Sequence, residues 1–179
     1  MSTIESQQQL APETAVSMRV DLLLVITGAA ALAVVPDWTA VDLTEPSYWG
    51  IAGFLVWAVL LLARPRGSWT PGSVNRRLTV AFLVVVQMVY VASRLRFGGS
   101  SLELGIQLGG WAVWLLLAAL GSRSDAPLWI GCALHGLWDA VHFGRVDFVP
   151  EWYGAACIVV DVAVGAFVLV RLNETRNET

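Results

Sequence analysis

Residues 128–143 read LWIGCALHGLWDAVHF, and residues 150–170 read PEWYGAACIVVDVAVGAFVLV. The second stretch matches the ~20 apolar residues that a helix needs to cross a bilayer. Both carry ionisable groups in their interior: His135 and Asp139 in the first, Asp161 in the second. Placing such a group in hydrocarbon costs about 2.5–3.5 kcal/mol on insertion scales. Partners, water or a ligand must offset that cost, so these three residues have to be explained by any account of the chain.

Upstream, the same kind of apolar run recurs. Hydrophobic residues make up 56% of the chain and charged residues 14%, and the runs predict six spans, over 18–35, 48–63, 78–93, 102–120, 127–143 and 150–170. The second, third and fifth are short for a full crossing. The linkers leave no room for a soluble domain, so the expected fold is all-α, a polytopic six-helix membrane bundle. Residues 1–17 read as a disordered cytoplasmic tail without a basic n-region, 18–171 as the membrane domain, and 172–179 as a second cytoplasmic tail.

Basic residues set the expected orientation. All 11 are arginine. With both termini inside, Arg19, Arg64, Arg66, Arg76, Arg77, Arg123, Arg171 and Arg176 face the cytoplasm, and Arg94, Arg96 and Arg145 face out, as the positive-inside rule requires. The longest polar linker, RPRGSWTPGSVNRR at 64–77, carries the plainest inside signal. It is also the chain's only basic concentration, which argues against nucleic acid as a partner; the expected partners are the bilayer and a lipophilic small molecule. The lack of lysine and the Ala/Val/Leu/Arg/Gly/Trp bias fit a GC-rich bacterial genome. Cys132 and Cys157 lie inside spans and read as free, small hydrophobes. Trp38, Trp49, Trp69, Trp129 and Trp152 fall near span ends, as an interfacial belt would; Trp57, Trp111, Trp114 and Trp138 lie deeper.

Helical spacing gathers the polar residues of four spans into stripes. Gln87, Tyr90 and Arg94 stand at i, i+3, i+7; Glu103, Gln107, Trp111 and Trp114 at i, i+4, i+8, i+11. His135, Asp139 and His142 stand at i, i+4, i+7, and Tyr153, Cys157 and Asp161 at i, i+4, i+8. Intramembrane polar groups turn away from lipid, so four stripes predict one polar interior. With the assigned topology it is a cavity open to the outer leaflet, with Asp161 and His135 at its floor and Asp37, Asp42, Glu45 and Asp147 at an acidic mouth.

Three chemistries fit. A carboxyl group in a dry site keeps its proton at neutral pH and can protonate an alkene or epoxide, the minimal equipment of a terpene cyclase or double-bond isomerase. Asp161 is then the acid, with Asp139 as the other candidate, and His135 orients or reloads it. Tyr90, Tyr153, Trp111, Trp114 and Trp138 would face cationic character with their π systems, and Gln87, Glu103 and Gln107 complete the substrate lining. No cofactor is expected. Alternatively, His135, Asp139, His142 and Asp161 form a metal site of a lipid hydrolase, since zinc accepts mixed N/O ligands. Thirdly, the chain is a small transporter or lipid-binding protein with a proton relay. The plainest alternative is structural: His135 and Asp139, one turn apart, satisfy each other.

The blocks HGLWDAVHF and VPEWYGAACIVVDVAVGA resemble the C-terminal part of small bacterial multi-pass membrane proteins, in which a His-x-x-Trp-Asp-x-x-His helix precedes a Pro-x-Trp-Tyr…Cys…Asp helix. The resemblance covers about 45 residues and implies that His135, Trp138, Asp139, His142, Trp152, Tyr153, Cys157 and Asp161 act as a unit. It brings no activity with it. In size and in its intramembrane acids the chain is also similar to integral-membrane terpene cyclases and sterol-isomerase-like membrane proteins, which implies a cofactor-free enzyme acting on an isoprenoid-like substrate.

Overall fold

A computed structural model describes residues 12–33, 44–64 and 68–177, with side chains from residue 21 onward. Residues 1–11 of the expected tail, Asp37, Trp38, Asp42 and Arg66 lie outside the described residues. Within them the chain is all-α, with six helices and no strand: α1 (Pro12–Ala33), α2 (Pro46–Leu62), α3 (Val74–Phe97), α4 (Ser101–Gly121), α5 (Asp125–His142) and α6 (Glu151–Asn177). Three of them, α3, α4 and α6, are long and apolar enough to cross a membrane.

Several helices outrun the apolar stretches that announce them. α3, expected short, has 24 residues, because Ser73 caps its first turn by accepting from the Arg76 amide and the backbone continues past Arg94 and Arg96. Likewise α1 starts at Pro12 and α6 runs to Asn177, into segments read from sequence as tails. Hydropathy marks the part of a helix that meets hydrocarbon; backbone hydrogen bonding continues into polar residues of adequate helix propensity.

The connections are tight and chemically marked. Gly98 and Gly99 have φ of 75° and 132°, a backbone that residues with a Cβ avoid. Ser100 then restarts the chain as the N-cap of α4, with Glu103 closing a capping box. Gly144, at φ 64°, follows α5, and Pro150 precedes α6.

Neighbours in sequence are neighbours in space, and α6 returns to pack on α1, so the six helices close into a ring with α3 also touching α5. The α5–α6 pair is the most intimate. A Cβ on Gly165 would sit 2.8 Å from the Ala133 Cβ, and one on Gly136 would sit 3.1 Å from the Ile158 carbonyl oxygen. Small residues at such positions let backbones approach closely.

The distribution of polarity is inverted relative to a water-soluble bundle. Leu22, Val56, Val85, Leu116, Leu137 and Val159 point outward, one on each helix, while Gln87, Gln107, His135, Asp139 and Asp161 are buried. A lipid-like exterior is the solvent in which that arrangement is stable.

Inside, the ring has an apolar half and a polar half. Phe54, Trp57, Phe82 and Phe167 make up the apolar half, with Trp57 stacked on Phe82 at 4.8 Å between centroids. Trp57 therefore belongs to packing. Trp69 joins it edge-on to Phe167 and is buried, contrary to its expected place in an interfacial belt; Trp49, in contrast, is exposed.

At the end of the bundle that holds the 64–77 linker, Arg76 is buried. It donates to the Gly121 carbonyl at 2.8 Å, the Trp69 carbonyl at 3.0 Å and Asp125 at 2.9 Å. Arg171 pairs with Asp21 and Glu174. Two arginines expected only to mark the inside face thus tie α3 to the α4–α5 turn and α6 to α1.

Candidate functional site

The polar half is built by α3, α4, α5 and α6. Of the thirteen stripe residues, eleven are buried; Trp111 is half-buried and Glu103 sits at a helix start. At the centre, the Nδ1 of His135 lies 2.7 Å from Asp161 Oδ2 and 3.3 Å from Asp139 Oδ2. Asp139 accepts a 2.5 Å hydrogen bond from the Tyr90 hydroxyl on its other oxygen. His135, Asp139 and Asp161 are each no more than 1% exposed. The pairing of α5 with α6 through Gly136 and Gly165 brings Asp161 to His135, because each glycine removes the side chain that would hold the two backbones apart.

The two nitrogens of His135 have different surroundings. Nδ1 faces the carboxylates, whereas Nε2 is buried and has no hydrogen-bond partner. A carboxylate on one nitrogen fixes the ring's orientation and tautomer, and leaves the other free to exchange a proton or bind a ligand. Trp114 packs edge-on against the ring at 5.3 Å and is itself anchored by donating to the Gly131 carbonyl.

His142 is differently employed. Its Nδ1 lies 2.8 Å from the Trp138 carbonyl, which can only accept, so Nδ1 carries the hydrogen and Nε2 accepts from the Gln107 amide at 3.1 Å. Its ring is tilted on Trp138 at 4.5 Å and edge-on to Tyr90 at 5.2 Å. With both nitrogens committed, His142 stands apart from the other proposed metal ligands. The donor atoms of His135, Asp139 and Asp161, by contrast, lie within 4.8 Å of one another and are a set that could close around a metal ion.

The remaining expected site residues divide. Gln87 lies against Gly110 and next to Trp138, since a Cβ on that glycine would be 3.1 Å from Gln87 Nε2 and 2.7 Å from the Trp138 ring. Tyr153 is buried with its hydroxyl pressed against Gly50 of α2. Glu103 does not join the interior: it caps α4 through Ser100 and pairs with Arg94. Trp111 donates to the Val84 carbonyl on α3. The sequence pattern missed Gly110, whose lack of a side chain admits Gln87 and Trp138, and the Arg76 clamp, two of whose partners, Gly121 and Asp125, lie 45 and 49 residues away.

At the end of the bundle with the α5–α6 loop, the described residues border two openings. A cleft of about 10 Å³ is lined by Tyr90, His142, Phe143, Gly144, Val149 and Gly154 among others, room for about one water. A shallower opening of about 490 Å³ is bordered by Arg94, Phe97, Gly98, Gly99, Ser100, Glu103 and Asp147. The first is bordered by Tyr90, whose hydroxyl donates to Asp139.

Comparison with protein-family models, curated proteins and solved structures gives no match to this chain.

Proposed function

We propose that the chain is a multi-pass enzyme of the cell membrane, with six spans and both termini in the cytoplasm, that moves protons on an isoprenoid-like lipophilic substrate. Its reaction class is double-bond isomerisation or cyclisation without a cofactor. The observation that carries this reading is the asymmetry of His135: Nδ1 held by Asp161, Nε2 buried and unpartnered. An imidazole so held is a general base and acid in one group.

In this reading Nε2 takes a proton from one carbon of the substrate, the double bond shifts, and the same proton is returned at another carbon. Nothing else is consumed. Asp161 aims the ring and balances its charge. Asp139, bonded to Tyr90, is the second carboxyl of the set, and the one-water cleft beside Tyr90 supplies proton exchange with the outside. Imidazole is a moderate base, so the carbon it deprotonates must be activated by a carbonyl, directly or through a conjugated double bond. That favours isomerisation over protonation of an isolated alkene.

The test is mass spectrometry of lipids and terpenoids from a host supplied with isoprenoid precursors. Wild-type protein should yield a compound with its precursor's mass and a new retention time, and His135→Ala and Asp161→Asn should lose it while still inserting. Persistence of the product in both variants rules the assignment out.

A second reading has its own support. The mutual reach of His135, Asp139 and Asp161 suits a metal-dependent lipid hydrolase. Stoichiometric zinc in the purified protein, lost in Asp139→Asn, together with a product differing by one water, would put that reading first.

A further inference from the structure

Beside the His135 cluster lies a group of buried polar atoms that the mechanism above does not use. Gln87 has no exposed surface, and neither its amide nitrogen nor its oxygen has a partner. The Trp138 indole nitrogen and the Gln107 amide oxygen are also buried and unpartnered. The assignment of Gln107 is fixed, because its nitrogen must donate to His142. The group therefore offers two free donors, from Gln87 and Trp138, and two free acceptors, from Gln87 and Gln107.

Such atoms are costly in an apolar surrounding unless something bonds them. Gly110 is what lets them gather: Gln87 and Trp138 both approach the space a Cβ would fill. The charge of the nearby arginine is already balanced, although its Nε has no partner. Arg94, two turns along α3 from Gln87, is paired with Glu103 and the Gly98 carbonyl, so a phosphate would meet no free counter-charge here. A plain hydrocarbon would satisfy none of the four atoms.

We infer that Gln87, Gln107 and Trp138 form the docking site for the uncharged oxygen head group, a hydroxyl or carbonyl, of a lipophilic ligand. This deepens the proposed function by naming the substrate class. Trp114 packs on both Trp138, at 5.6 Å, and His135, at 5.3 Å, so a head group held here sets the adjoining carbons beside the His135 ring. Where that oxygen is a carbonyl, it also acidifies those carbons toward the His135 base.

Four probes with closely similar chains and different heads test this: farnesol, farnesylacetone, farnesene and farnesyl diphosphate. Binding to the full chain in nanodiscs is measured by native mass spectrometry and calorimetry. Farnesol or farnesylacetone should bind saturably and about tenfold or more tighter than farnesene and the diphosphate, as expected when a buried polar site is left unpaired by the wrong ligand. Gln87→Leu should remove that preference without weakening farnesene. Trp138→Phe, which keeps an aromatic side chain and deletes the indole N–H, should reduce it even if Gln87→Leu fails to fold. Which oxygenated probe binds better separates hydroxyl from carbonyl. Equal binding of farnesene, tighter binding of the diphosphate, or no saturable binding of either oxygenated probe overturns the inference; in the last case water is the occupant. His135→Ala protein should retain the selectivity. Selective binding without any His135-dependent product would sink the catalytic reading alone, and the converse would sink only this one.

Discussion

Tyr90 shows how much one hydroxyl supports. It donates to Asp139 at 2.5 Å, and the other Asp139 oxygen has only the 3.3 Å approach of His135. Tyr90→Phe should destabilise the protein by about 1–3 kcal/mol, the cost of leaving a buried polar group short of a partner, seen as a lowered melting temperature in detergent. An unchanged melting temperature would mean that the bond contributes nothing. Most of the residues around it were legible from spacing alone, because a helix places i, i+4 and i+7 on one face whatever it packs against. Glu103 and Trp111 fit the same spacing and still stand apart. For Glu103 a signal was present: Ser100-Ser-Leu-Glu103 ahead of an apolar run is a capping box. For Trp111 there was none, since its partner is a backbone carbonyl 27 residues away.

Among the elements, the α5–α6 pair decides whether the site exists. Gly165 lies one turn beyond Asp161, and its missing side chain leaves α6 against Ala133 of α5. Gly165→Leu should force the helices apart, destabilise the fold by about 1–3 kcal/mol or more, and separate Asp161 from His135, so that product formation falls along with the melting temperature. Gly105 on α4 has nothing within 4 Å, and Gly105→Ala should leave both unaltered. Equal effects of the two changes would contradict this account of the packing. The Gly50–Tyr153 approach between α2 and α6 is tighter still: a Cβ on Gly50 would collide with the Tyr153 hydroxyl. Gly50→Val should therefore displace Tyr153 and lower the melting temperature.

At the scale of the whole molecule, α4 spans about 30 Å along its axis, with Ser101 at one end and Ser124 in the turn that follows the other. The arginine-rich end is the one with Ser124. Under the six-span orientation proposed above, an impermeant thiol reagent should label Ser101→Cys in intact cells and Ser124→Cys only after permeabilisation. The native Cys132 and Cys157 are buried and should stay silent. Labelling in the opposite sense would invert the topology, and with it the side on which the cleft beside Tyr90 lies.

The sequence by itself determined that the chain is helical and apolar outside, and which face of each late helix is polar. Composition and the 3.6-residue period are local properties, and they survive whatever the tertiary arrangement is. It also singled out His135, Asp139 and Asp161, since ionisable groups within apolar runs stand out in any register. Tertiary structure alone decided their division of labour. Asp161 meets His135 at 2.7 Å because two glycines let α5 and α6 close, and His142 is diverted to Gln107 and Trp138. Arg76, read as a topology marker, became a buried clamp on Gly121 and Asp125. Those outcomes depend on contacts between segments far apart in the chain, and no local spacing encodes which distant backbone or side chain will be the partner.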